Sequence, residues 1–115
     1  MLTKIIERLQ TGSISNVVQF GAQLPSSPYV CVKPEVGVVG RDLRIIVHYD
    51  QGNNSALENY IFNELSTLLK DFEYTDANGN DVMVKDAGSY TDIAATNDDL
   101  TISMERLFYL PLRLH

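Results

Sequence analysis

The sequence predicts one α+β domain, a mainly antiparallel β-sheet packed by one long helix and a short N-terminal helix. Three patterns carry that expectation. Residues 41–49 alternate, with Leu43, Ile45, Val47 and Tyr49 on one side and Asp42, Arg44, Ile46 and His48 on the other, as a half-buried strand requires. Leu57, Tyr60, Ile61, Leu65, Leu68 and Phe72 form a helical apolar stripe opposite Asn59, Asn63, Ser66 and Lys70. Residues 100–110 alternate again. A chain of 115 residues, 44% of them hydrophobic, has the length of one domain and enough apolar material for a single core.

Leu2, Ile5, Ile6 and Leu9 share one face of a short first helix, which Thr11-Gly12 ends. Residues 13–24 keep neither period and receive no assignment. Pro25 and Pro28 mark a loop, and residues 29–33 read as a strand. Pro34, Gly37 and Gly40 then bracket Val36, Val38 and Val39, a loop whose valines are exposed or face a partner. After the strand at 41–49, residues 50–54 turn the chain. Ser55 with Glu58 three residues on makes a capping box for the principal helix, residues 55–70. Residues 72–75 and 82–85 read as a hairpin around Asn78-Gly79, because that pair accepts the positive φ such a turn needs. Residues 86–99 read as a polar loop with four aspartates. In the last strand Leu100, Ile102, Met104, Phe108 and Leu110 share a face that Arg106 interrupts. Pro111 cannot donate to a ladder, so residues 112–115 read as an edge, a bulge or a tail, and they are the part expected to reach a neighbouring subunit.

Fifteen acidic against nine basic side chains give a formal charge of -6, which opposes general binding to nucleic-acid phosphates. Arg41, Arg44, Arg106 and Arg113 are spread over two segments and make no basic stripe. Cys31 stands alone between valines and reads as a buried, inert thiol in a reducing compartment. Nowhere is an apolar run long enough to span a membrane, so no membrane partner is expected.

Chemistry is sparse. His48 and His115 have no second ligand at zinc spacing, and no cofactor is expected. Asp76, Asn78 and Asn80 imitate the start of a calcium loop, but Asp81 stands where glycine is needed and Ala87 where the bidentate glutamate belongs. Gly37-Val38-Val39-Gly40 lacks the lysine and hydroxyl of a phosphate loop. The enzymatic alternative is a small cytosolic enzyme using His48 with Asp50 or Asp92.

The strand Tyr29-Val30-Cys31-Val32-Lys33-Pro34-Glu35, the strand 41–50 leading through a glycine turn into the helix, and the closing Glu105-Arg106-Leu107-Phe108-Tyr109-Leu110 together resemble the tail-terminator and tail-completion proteins of long-tailed bacteriophages. The resemblance implies a homo-oligomeric ring, expected to be hexameric, at the head-proximal end of a phage tail. Its partners would be the tail tube protein and the head-tail connector protein, with DNA passing through the lumen unbound. It implies a virion location, assembly in the host cytoplasm, and no catalytic residue. The expected subunit-interface residues are Val36, Val38, Val39, Arg41, Arg44, Arg106, Tyr109, Leu112 and Arg113. Another neck or baseplate component is the related alternative.

Overall fold

The computed structural model describes residues 2–37, 40–93 and 96–111. Val38, Val39, Leu112 and Arg113 among the expected interface residues, and the whole segment 112–115, lie outside them. The chain forms one α+β domain with a mostly antiparallel five-stranded sheet. Its elements are α1 (Thr3–Gln10), β1 (Val17–Gln19), β2 (Tyr29–Val36), β3 (Gly40–Asp50), α2 (Asn54–Asn59), a π-helical turn (Tyr60–Glu64), α3 (Leu65–Leu69), β4 (Glu73–Thr75), β5 (Asp81–Met83), β6 (Lys85–Tyr90) and β7 (Thr101–Pro111).

The sheet order is β1-β2-β3-β7-β6, with β4 and β5 forming a separate hairpin. Among the described residues the β1–β2 pair is parallel and the other strand pairs are antiparallel. The closing strand β7 therefore sits inside the sheet, between β3 and β6. Alternation sorts its side chains: Ile102, Met104 and Phe108 join Val30, Val32, Leu43, Ile45 and Val47 on the face that carries the helices. The helical segments press their apolar stripes onto this face through Ile5 and Leu9 of α1, Leu57 of α2, Ile61 of the π turn, and Leu65 and Leu69 of α3, all fully buried. The opposite face bears a smaller cluster, Tyr29, Cys31 and Ile46.

Several expected boundaries move. The principal helix is interrupted: two short α-helical segments flank a π turn, in place of one uniform long helix. It begins at Asn54, so Ser55 lies inside the first turn and the capping box does not form; no side chain caps the helix start at Asn53. β2 runs on through Pro34 to Val36. The strand tolerates Pro34 because β1 pairs no further than Val32, which leaves β2 a local edge there. The supposed loop 86–99 opens with β6, which pairs with β7 across a bulge between Asp86 and Ser89. Leu100 is not part of the last strand. It occupies a left-handed turn at φ 63° and is 68% exposed. The unassigned stretch 13–24 contains β1.

The hairpin 73–83 matches its expectation closely: Asp76 accepts hydrogen bonds from the Asn78 and Asn80 amides, and Gly79 adopts φ 81°. The first helix is fixed to the second layer through Arg8, whose Nε donates to the Leu68 carbonyl at the end of α3 (2.9 Å). Glu64 accepts from the Ser13 amide and hydroxyl, both at 2.7 Å, and ties the chain after α1 to the π turn.

Candidate functional site

The expected interface residues divide into two groups. Val36 and Arg41 are cross-strand partners at the far end of β2 and β3, and with Pro34 and Glu35 they border a shallow recess of about 270 Å³. Val36 is 100% exposed. Tyr109, half-buried, lies one row further in, opposite Asp42 and Lys85. Arg44 occupies the sheet face away from the helices, where its Nε donates to Glu35 at 2.7 Å and its Nη1 to Glu105 at 3.1 Å. The Glu35 bond, helped by Glu105, raises its already high pKa. Val36, Arg41 and Tyr109 gather at one end of the sheet, and Arg44 sits three rows in from Arg41, near the middle of β3.

Arg106 departs from that group. It points into the helix layer and is only 9% exposed. Its Nη1 donates to the Ile61 carbonyl at 2.6 Å and to Ser66 Oγ at 2.8 Å, while Nη2 meets Asp86 at 2.6 Å. A π turn shifts the helical hydrogen bonds and leaves a carbonyl to be satisfied from outside; the guanidinium supplies that donor. Burial disfavours the Asp86 carboxylate, but the Gly88 amide and the Arg106 charge outweigh it and hold its pKa below the ordinary value. Arg106 is thus a structural clamp between β6, β7 and the helix, and not a surface contact.

The enzymatic pairing also changes. Asp50 bonds Ser27 Oγ, and Asp92 is exposed. In place of those two, Asp99 is joined to His48 through Thr101. Tyr29 stacks on the His48 ring, centroids 4.4 Å apart, and its hydroxyl donates to Asp99 Oδ2 at 3.0 Å. Thr101 Oγ1 lies 2.6 Å from Asp99 Oδ1 and 3.2 Å from His48 Nδ1. Thr101 has one hydroxyl proton, and the short contact to a carboxylate uses it. His48 Nδ1 must then be the donor, which leaves Nε2 as the acceptor. Asn97 completes the group by donating to Thr101 and Ser103. Burial pushes the His48 pKa down against the opposing pull of Asp99 and Glu105. Burial and then Asp99 push the Tyr29 phenol up to about 12. The Cys31 thiol, as expected, is buried, and burial raises its pKa.

Apart from this cluster, a cleft of about 540 Å³ opens between Thr3 and Lys4 of α1 and the hairpin residues Tyr74 to Asn78. Among the described residues no group of three or more metal-ligating side chains converges, and no helix is long and apolar enough to cross a membrane.

Sequence periodicity missed Asp99 and Thr101 because their meeting with Tyr29 depends on β2, β3 and β7 lying side by side. It also missed the exposed large apolar side chains Phe20, Leu24, Phe62 and Tyr90. Phe62 had a signal, since it stands off the helical stripe. No protein-family model, curated protein or solved structure matches the chain.

Proposed function

We propose that this protein is a structural assembly subunit of the tail-terminator type. Copies form a homo-oligomeric ring, hexameric by the resemblance of its elements to that family, which caps a phage tail tube and joins it to the head connector. The observation that carries this reading is where the exposed large apolar side chains fall. Phe20, Leu24, Val36, Phe62, Tyr90 and Leu100 lie on helix surfaces, strand ends and connections around the periphery, where other subunits can cover them. The charge of -6 suits a lumen through which DNA passes, because like charges repel. Light scattering of the purified protein and negative-stain imaging with tail tubes test the proposal. Rings seated on tube ends are expected, and a strict monomer that ignores tubes would refute it.

A second reading has one specific observation in its favour: the chain Asp99, Thr101, His48, which leaves Nε2 as a base. Under it, His48→Ala abolishes a hydrolytic turnover while leaving assembly intact. Loss of neither activity nor assembly in that variant removes the reading.

A further inference from the structure

The ring reading leaves open which surfaces meet, and the sheet's two edges answer it. Four of the exposed large apolar side chains sit beside those edges. Phe20 directly follows β1, its amide extends the ladder by donating to the Val32 carbonyl, and Leu24 follows in the same connection. At the other edge Tyr90 ends β6 and packs edge-on against Phe62 of the π turn, centroids 4.8 Å apart. Phe20 and Tyr90 are each 54% exposed.

The stretches that carry these side chains are poor in charge: no Asp, Glu, Lys, Arg or His occurs from Leu9 to Val32, a run of 24 residues, or from Ala87 to Thr91. The two charges that β6 does carry, Lys85 and Asp86, lie at its start and are paired with Asp71 and Arg106. Lys33 reaches the first edge from β2, its Nζ 4.8 Å from the centre of the Phe20 ring, and adds no negative charge there. Two copies that each carry -6 repel least where both present such surfaces. Strand direction agrees. β1 and β2 run together, β3 opposes them, β7 runs with β2 and β6 with β3. A neighbour placed beside β6 in the same orientation therefore offers β1 antiparallel to it, with its helices on the same side of the continued sheet.

We infer that the β6 edge of one copy, with Tyr90 and Phe62, docks on the β1 edge of a second copy, with Phe20 and Leu24. This contact is heterologous, head to tail, the kind that closes into a ring when the rotation between copies permits. It rests on the ring proposal and specifies its interface.

The test uses Phe20→Asp and Tyr90→Asp, both at exposed positions, with Leu24→Asp as a second variant of the β1 edge. Circular dichroism checks folding, and light scattering reads mass. Each variant alone is expected to lose self-association by at least about 30-fold, the effect of burying a charge at a central contact. Mixed one to one, Phe20→Asp and Tyr90→Asp each retain one good edge and should form a dimer that grows no further. Self-association of Phe20→Asp alone with loss in Tyr90→Asp would mean a two-fold β6 contact and overturn the inference. Oligomers that persist in all three variants would overturn it too, yet leave ring assembly standing. A monomeric wild type would refute both.

Discussion

Replacing Arg106 with Met tests whether the π turn is held from the sheet. Methionine keeps much of the side-chain volume but removes every donor. The change leaves the Asp86 carboxylate, 21% exposed, without its cation, and the Ile61 carbonyl without its 2.6 Å partner. Breaking a buried pair destabilises by about 3–5 kcal/mol. Water reaching Asp86 and packing by Met reduce this, so about 3 kcal/mol is expected. A domain of this length is stable by roughly 6–15 kcal/mol, so the loss is large and should lower Tm by about 10–15 °C. Arg106→Lys keeps the charge without the fork and should fall between the two. In a double-mutant cycle with Asp86→Asn the coupling should be about 1–2 kcal/mol. The acid limb gives an independent check. The folded Asp86 pKa lies below the unfolded value of about 3.9, so its contribution is complete above that value and is lost as pH falls through the folded pKa. Arg106→Met should flatten that limb. Melting of Arg106→Met within about 2 °C of wild type, or a coupling indistinguishable from zero, would refute the clamp.

Three further outcomes follow from the geometry. Burial lowers the His48 pKa in the fold, so stability is intact above the ordinary histidine pKa of about 6.5 and declines as pH drops from there through the lower folded value. Urea midpoints at about pH 7.5 and about pH 5 should differ less in His48→Gln than in wild type. Asp99→Asn removes the negative charge and turns one of the two oxygens that accept from Tyr29 and Thr101 into an amide donor, so the Tyr29 phenol, pushed up to about 12, should titrate at lower pH while burial keeps it above an ordinary tyrosine; an unchanged titration contradicts the interaction. A Cβ at Gly12 would meet Glu64 Oε2 at 2.7 Å, the oxygen that accepts from the Ser13 amide, and Leu68 Cδ1 at 2.8 Å in the core, so Gly12→Ala should displace Glu64 from Ser13 and destabilise by about 1 kcal/mol in chemical denaturation.

Periodicity exposed the elements that bury one face over many residues. β3, the first helix, the hairpin and most of β7 were readable because alternation or helical spacing repeats long enough to be counted. β1 was not, since three residues carry no period and its strand exists through pairing with β2. β6 was hidden by its composition: Asp86-Ala87-Gly88-Ser89 has poor strand propensity, and its backbone is held by β7. Arg106 showed itself only as a break in an apolar face. Its proper reading, a buried cation with a partner on another element, required knowing that the helix above it offers a free carbonyl.

The π turn also explains a spacing in the sequence. Leu57, Ile61, Leu65 and Leu69 recur every fourth residue and are all fully buried. An α-helix of 3.6 residues per turn would let that series drift by about 40° at each step, or about 120° in all, carrying Leu69 away from the sheet. The wider π turn between the second and third members slows the rotation and brings the later leucines back to the same side. The helix is therefore phased by its buried leucines. Exchanges on its outer side leave that phase untouched, whereas gain or loss of one residue between Leu57 and Leu69 turns everything downstream, including the carbonyls that Arg8 meets.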